Sequence, residues 1–333
     1  MGLSIEAYDA AARAALAASS NRTIECVQPL AFGKLGYPAT VHDIAELARY
    51  AEVMHEGRHE ALCQWLGGFT SEELELVAAI AKHVAAFTAE NYGRRCIPRT
   101  SLVDSLHMLR HVRYVGGPIP PATLEIGAGS GYVGALLTRL GVRYTVTDVT
   151  QAFYLYQSHL LEGPGFCEGV TDRPRSDTVK SHLPWWQFYT PAGPPPIDAS
   201  IVVCNHALCE MHPHARNYVL HVAADLLAKA PSGGAMLFST GGSELMHPIK
   251  DIIHSAALWG LAVAFRDDQM TVLVHSSRSE GNPAAACIAE GRRADAEKAT
   301  HGPAAVDAIL QAALGQPDLA TDDERFLRFV RPS

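Results

Sequence analysis

The segment TLEIGAGSGYVGALLTRLGVRYTVTDV, residues 123–149, constrains the fold of this chain more than any other part of the sequence. It opens with a short apolar run of strand type, passes through glycines at alternate positions, and then shows helical periodicity up to Gly141. A second predicted strand, from Tyr144 to Thr147, places Asp148 at its carboxyl end. The order strand, glycine turn, helix, strand predicts an α/β unit that aims backbone N–H groups and a positive helix N-terminus at a ligand.

Two kinds of cofactor fit this unit. Gly129, Gly131 and Gly134 spell G-x-G-x-x-G, the fingerprint of dinucleotide binding. Glu125 inside the strand and Gly127 directly after it lengthen the pattern to E-x-G-x-G-x-G. The longer pattern resembles the first motif of class I S-adenosylmethionine (SAM) methyltransferases, in which the acid lies near the methionine end of the cofactor. A carboxylate beside the turn suits the ammonium and sulfonium charges of SAM, and it suits a pyrophosphate poorly.

The resemblance implies an α/β fold, a Rossmann-like seven-stranded class I methyltransferase sheet with an N-terminal helical cap, and SAM as the cofactor. An acid at the end of the second strand typically binds ribose hydroxyls, which is the role expected of Asp148. A nicotinamide or flavin cofactor, and a glycine turn without cofactor, remain the alternatives. The residues expected to hold the cofactor are Glu125, Gly127, Gly129, Gly131, Asp148, Val149 and Asn205.

A second informative segment is IDASIVVCNHALCEMHPHA, residues 197–215. Its apolar, β-branched run predicts a parallel strand buried on both faces, and Asn205 and His206 follow at the carboxyl end of that strand. Ligands of open α/β sheets bind at this edge, so the loop should lie beside the glycine turn. N-H-A-L-C-E-M resembles the fourth motif of class I methyltransferases and, among them, the sugar O-methyltransferases of natural-product pathways. The resemblance covers roughly residues 95–275.

Methyl transfer to a hydroxyl requires a group that accepts the proton, and the loop after the predicted strand offers candidates. His206 and His212 are the expected bases because an unperturbed imidazole titrates at about pH 6.5, and Glu210 is expected to orient one of them. Loop histidines that only cap backbone groups are the structural alternative. N-methylation of an amino sugar or amino acid, and a binding protein that keeps the fold without chemistry, are the functional alternatives. No metal is expected at the site.

Aromatic residues and one more histidine are the candidates for contact with the substrate. Trp185 and Trp186 follow Pro184, where the chain is expected to break out of a third strand into a loop. They either form a wall that faces the adenine or the substrate, or an aromatic plug beneath the loop. His247 is expected at the carboxyl end of another strand and is the third substrate candidate.

Composition narrows the partners. A net charge of −8 without a long Lys/Arg block argues against nucleic acid and favours a small-molecule substrate. No apolar run reaches membrane-spanning length, and the seven scattered cysteines suggest reduced thiols, so a cytoplasmic enzyme without membrane contact is expected. A homodimer is compatible with the helical N-terminal part.

Helical periodicity dominates the chain before the glycine turn. The expected organisation is a helical cap or dimerisation domain at 1–115, a SAM-binding domain at 116–278 and a helical appendage at 279–333. Ser71 is the expected cap of one helix, and Ser101 and Asp104 form the expected capping box of another.

The sequence also contains H-E-x-x-H, from His55 to His59, a pattern that binds zinc when it lies on a helix. Charged neighbours, a glycine inside the motif and the lack of a third ligand at familiar spacing favour a solvated helix face instead.

Overall fold

The computed structural model describes residues 3–18, 39–52, 59–161, 166–168, 180–190, 193–231, 233–239 and 248–315. These residues form one mixed β-sheet between layers of helices. In chain order the strands are β1 (Thr123–Ile126), β2 (Tyr144–Asp148), β3 (Phe166–Glu168), β4 (Lys180–Pro184), β5 (Ile201–Val203), β6 (Ala235–Ser239), β7 (Leu261–Arg266) and β8 (Met270–His275). The α-helices are α1 (Ile5–Ala18), α2 (His59–Leu66), α3 (Ser71–Tyr92), α4 (Arg99–Gly116), α5 (Tyr132–Arg139), α6 (Gln151–Leu160), α7 (Trp185–Phe188), α8 (Pro213–Lys229), α9 (Ile249–Leu258), α10 (Ala284–Lys298) and α11 (Pro303–Leu314).

The strand order is β3-β4-β2-β1-β5-β6-β8-β7. All neighbours from β3 to β6 are parallel, and β8 runs antiparallel to both β6 and β7. The predicted Rossmann-like α/β sheet is confirmed, with the short β3 as an eighth strand at one edge and the antiparallel hairpin of β7 and β8 at the other. The chain reverses its direction of travel across the sheet between β1 and β5, and ligands of such sheets bind at that switch point.

The side chain of Asp267 closes the turn between β7 and β8. Asp267 accepts hydrogen bonds from the backbone N–H groups of Gln269 and Met270, each at 2.8 Å. This side-chain cap closes the hairpin that ends the sheet.

Two predicted helix caps are wrong. Thr70, not Ser71, caps α3, and it forms a complete capping box with Glu73. At the start of α4, the N-cap is Pro98 and makes no side-chain hydrogen bond. Glu52 replaces the predicted box, because its Oε1 accepts from the backbone N–H groups that open α4.

The C-terminal helices pack against the helices that precede the sheet. α11 lies on α3, and α10 lies on α4. A Cβ on Gly291 of α10 would lie 2.1 Å from the Tyr114 ring of α4, so this contact requires glycine. The Tyr114 hydroxyl also donates to Asp295 at 2.6 Å. Helices that precede the sheet in the sequence and helices that follow it therefore pack together. The predicted domain boundaries stay a prediction.

Several further expectations concern composition and metal binding. None of the described helices is long and apolar enough to cross a membrane. The five cysteines with described side chains are free thiols. Of the H-E-x-x-H motif, His55 and Glu56 lie outside the described residues, and His59 starts α2 with its Nε2 at 3.6 Å from Asp307. Within the described ranges, no three His, Cys, Asp or Glu side chains are arranged to hold a metal ion.

Candidate cofactor and active site

The glycine turn after β1 adopts a conformation that side chains disfavour. Gly127, Gly129 and Gly131 have φ values of 69°, 55° and 78°, all in the left-handed region. A Cβ on Gly127 would also lie 2.6 Å from the Cβ of Ala207, so the turn touches the 3-10 helix Ala207–Cys209 that follows β5. Two loops that the sequence predicts to be neighbours are thus in direct contact.

Glu125 points into the interior beneath the turn. It is buried in the middle of β1 and accepts a hydrogen bond from the Tyr144 hydroxyl of β2. A Cβ on Gly134 would lie 2.2 Å from the Tyr144 ring, so this third glycine of the fingerprint gives the tyrosine room to reach the carboxylate. Because its role is helix-to-strand packing, Gly134 does not discriminate between a dinucleotide and SAM.

The two acids of the site are both held in a desolvated environment. Burial raises the pKa of Glu125 to about 8, with Asp148 adding to the shift and the Tyr144 hydrogen bond opposing it. Burial likewise raises the pKa of Asp148 to about 6, against hydrogen bonds from Thr150, Gly129 and Gln157. Two buried acids in this state favour a cationic ligand, since a nearby positive charge stabilises their ionised form.

Replacing Glu125 by Gln should change how stability depends on pH. The carboxyl group has an ordinary pKa of 4.5 and a folded pKa of about 8. Between these values only the folded state holds the proton, so the wild type loses stability as pH rises through this window. Glu125→Gln does not titrate. Its free energy of unfolding relative to wild type should therefore rise by roughly 2 to 5 kcal/mol from pH 5 to pH 9.

Urea unfolding at both pH values measures this difference. Asp198→Asn is the matched control, because that carboxylate is largely exposed and pairs with Arg143 at the surface. An equal stability difference for Glu125→Gln at pH 5 and pH 9 would contradict the raised pKa.

Asp148 accepts three hydrogen bonds at the end of β2. Its Oδ2 accepts from the Gly129 N–H and from Gln157 Nε2, both at 3.2 Å, and its Oδ1 accepts from the Thr150 N–H at 2.9 Å. The acid thereby links the glycine turn to α6. The adjacent Val149 is partly buried and packs against the apolar cluster on that side of the sheet.

An unexpected acid completes the site from the helical layer. Asp104 of α4 is buried, and its Oδ2 accepts from Asn205 Nδ2 at 2.7 Å. Both carboxylate oxygens lie 3.4 Å from His206 Nε2. His206 is buried as well and has a φ of 59°, the one positive φ among the described residues other than glycine. The predicted helix cap is therefore the partner of the predicted base.

A cavity of about 50 Å³ joins these groups. It lies between the glycine turn, the start of α4 and the end of β5. Its polar lining includes Ser101, Asp104, Ser105, Glu125, Asn205 and His206. The expected cofactor residues Gly127, Gly129 and Gly131 line the same cavity, whose mouth is therefore the carboxyl edge of the sheet.

The other two expected catalytic residues occupy different settings. His212 is the N-cap of α8, and its Nδ1 accepts from the His214 N–H at 3.2 Å. Its ring lies 5.0 Å from the His214 ring. Glu210 ends the 3-10 helix that starts after His206. His212 therefore caps a backbone N–H group, which is the structural alternative for a loop histidine. His206, in contrast, lines the cavity.

The structure describes two of the three substrate candidates, Trp185 and Trp186. The chain after Pro184 forms the short helix α7 instead of the expected loop. Trp185 is buried in the core, and its ring lies 5.5 Å from that of Trp186 in an edge-on contact. Trp186 is half-buried and lies 5.2 Å from the Tyr8 ring of α1. His247 lies outside the described residues.

The segment before α2 covers the glycine turn. Ser130 donates its hydroxyl to the Tyr50 carbonyl at 2.9 Å, and Tyr132 donates to the Ala51 carbonyl at 2.7 Å. The Tyr50 ring packs edge-on against Phe153 of α6 at 5.1 Å. The 3-10 helix Ile44–Glu52 is thus fixed over the turn by backbone carbonyls and one aromatic contact.

Comparison with solved structures finds distant similarity to methyltransferases. Magnesium protoporphyrin IX methyltransferase from Synechocystis, crystallised with bound SAM, shares 12% identity over 53% of this chain and 84% of that chain, with a TM-score of 0.34. Mitomycin 7-O-methyltransferase shares 17% identity over 57% and 56% of the two chains, with a TM-score of 0.38. An O-methyltransferase family protein from Burkholderia thailandensis shares 16% identity over 53% and 57%, with a TM-score of 0.34.

No family model and no curated protein matches the chain. Similarities as distant as these carry no conclusion about cofactor or substrate.

Proposed function

We propose that this chain is a SAM-dependent methyltransferase that acts on a hydroxyl of a small molecule. The observation that carries the proposal is the convergence of the glycine turn and the Asp104–His206 pair on one cavity. The turn would supply a cofactor cradle, and the pair would supply a proton acceptor that lines the same cavity. We further propose that the acceptor is a sugar or sugar-like molecule, and this rests on the sequence resemblance alone.

The residues of the turn fit SAM by shape and by charge. Glycines at positive φ carry no Cβ, so a ligand can approach the backbone of the turn closely. Glu125 and Asp104 line the cavity with carboxyl groups, and Asp148 lies against the Gly129 N–H of the turn, which suits a cationic cofactor and disfavours a pyrophosphate. Asp148 would hold the ribose hydroxyls, and the serines of α4 would face the methionine end.

Methyl transfer to a hydroxyl requires the protein to position the two reactants and to accept a proton. SAM supplies an electrophilic methyl group when bound. The loop after β5 would orient the acceptor hydroxyl, and His206 would take its proton as the new oxygen–carbon bond forms and the sulfur–carbon bond breaks, with S-adenosylhomocysteine as the leaving group. Asp104 acts on His206 and Asn205 together, since it contacts both side chains, and it stabilises the imidazolium that results. Asp104 is therefore a positioning residue for the base.

The first test of the proposal is cofactor affinity. The purified protein should bind S-adenosylhomocysteine (SAH) with a micromolar Kd, about −8 kcal/mol, and should not bind NAD measurably. Asp148→Ala should weaken SAH binding by about 1.5 to 3 kcal/mol, because the ribose loses a charged acceptor. Titration calorimetry measures all three quantities.

Asp198→Ala serves as the control, since it removes an exposed carboxylate just before β5, far from the carboxyl edge. Tight binding of NAD together with no binding of SAH would refute the proposal. Independence from divalent metal also stays a prediction, and turnover in EDTA is the assay that checks it.

A further inference from the structure

Arg216 is a buried cation that the proposed chemistry does not use. It lies at the start of α8 and exposes 6% of its surface. Its Nε and Nη1 atoms are buried and have no hydrogen-bond partner. No carboxylate of a described residue forms an ion pair with it. Burying an unpaired charge costs free energy, so an arginine in this setting indicates a binding site for an anion.

The position of Arg216 relates it to the proposed active site. Its backbone N–H donates to the His212 carbonyl at 2.9 Å, at the end of the loop that begins with Asn205 and His206. α8 packs against α9, and α9 also contacts the 3-10 helix Ala207–Cys209. The start of α8 therefore lies next to the loop at the carboxyl edge of β5, the edge at which ligands bind in sheets of this type.

A second positive element lies on α9, the helix that packs against α8. The N-cap of α9 is Pro248, which makes no side-chain hydrogen bond, so the positive end of this ten-residue helix has no side-chain cap. Asp251 in the first turn of α9 acts on the charge of Arg216, in line with the packing of the two helices. Asp251 is exposed and forms no ion pair with Arg216, so the buried Nε and Nη1 donors remain without a hydrogen-bond partner.

We propose that Arg216 and the N-terminus of α9 bind an anionic group, a carboxylate or a phosphate, of the methyl acceptor. Both elements are positive, and a guanidinium presents a planar set of donors that matches the oxygens of either group. A neutral acceptor would leave the buried charge uncompensated. The inference rests on the proposed function and narrows it: the acceptor carries a hydroxyl for methylation and, elsewhere, an anionic group that anchors it.

Anion titration tests the site without knowledge of the acceptor. Inorganic phosphate and sodium acetate are titrated separately into the full-length protein at constant ionic strength, followed by calorimetry, with SAH titrated into the same samples. Arg216→Met is compared with Arg278→Met, which removes an exposed guanidinium in the turn after β8. We expect saturable binding of at least one anion to the wild type and to Arg278→Met, and binding at least ten-fold weaker to Arg216→Met. SAH affinity should be equal in all three, and the stronger of the two anions identifies the anchoring group.

Thermal melting gives a second readout that a purely structural arginine would not produce. Arg216→Met should melt no lower than the wild type in the absence of anion, because the substitution removes an unpaired buried charge. It should also lose the rise in Tm that the bound anion gives the wild type. Melting more than ten degrees below the wild type would show a structural group and overturn the proposal.

The remaining outcomes separate the two proposals. Absence of saturable anion binding by the wild type, or undiminished binding by Arg216→Met, overturns the anion site. Anion binding that depends on Arg216 in a protein that does not bind SAH supports the anion site and refutes the methyltransferase proposal.

Discussion

Replacing His206 by Ala should lower kcat by about 10² to 10⁴-fold, the usual contribution of a positioned general base. The substitution removes the imidazole that lies 3.4 Å from the Asp104 carboxylate, at the cavity where the glycine turn and β5 meet. SAH affinity should change little, because the turn and Asp148 hold the cofactor. Steady-state kinetics on an identified acceptor, combined with SAH titration, separates these two effects.

His212 is the matched control because the sequence alone makes it an equal candidate. As the N-cap of α8, it should contribute to stability instead: His212→Ala should cost about 0.5 to 2 kcal/mol of folding free energy and leave kcat within a few-fold of wild type. Asp104→Asn should lower kcat as His206→Ala does, with SAH affinity kept, and Asp104→Glu should restore part of the rate. Full kcat in both histidine variants would exclude His206 and His212 as the base and favour either Glu210 as the base or an amine acceptor, which needs positioning alone.

Gly134→Ala should destabilise the protein by about 3 kcal/mol or more, the upper range for an overpacked core. The added Cβ would lie 2.2 Å from the Tyr144 ring, and Tyr144 is buried with its hydroxyl bonded to Glu125. The ring has no space to retreat without giving up that hydrogen bond. Urea unfolding of the variant measures the loss.

A compensating substitution makes this prediction specific. Gly134→Ala combined with Tyr144→Leu should recover part of the stability that the glycine variant loses, because the smaller side chain accepts the new methyl group. Tyr144→Leu alone should be destabilising, since it leaves the Glu125 carboxyl without its donor. Gly134→Ala with wild-type stability would mean that α5 and β2 are less closely packed than the structure indicates.

Local patterns in the sequence are sufficient to predict the sheet and the cofactor turn. Each of β1, β2 and β5 is a short run rich in β-branched or apolar residues, and strand type follows from those few residues. The glycines of the turn, beginning with Gly127, predict positive φ values, because other residue types rarely tolerate them. The carboxyl ends of parallel strands lie at one edge, so the proximity of Asn205 to the turn follows from topology.

The partner of His206 was not predictable in this way, because Asp104 lies on a helix about a hundred positions earlier in the chain. The capping-box pattern gave a plausible local role to Asp104, and only the distant Glu52 makes that role unnecessary. One signal was present. Ser101, Asp104 and Ser105 fall on one helix face, and α4 is buried along its length from Thr100 to Val112. A polar stripe on a buried helix indicates a polar cavity.

The packing of α11 on α3 and of α10 on α4 determines the order in which the protein can be completed during synthesis. α3 and α4 leave the ribosome before the sheet, whereas the helices that cover them leave after it. Val306 and Leu310 of α11 are fully buried, so the apolar surface that they occupy stays uncovered until then. A nascent chain that ends after β8 already contains the complete sheet, Asp104 and His206. It still exposes the apolar faces of α3 and α4, which favours aggregation or chaperone binding until α10 and α11 dock.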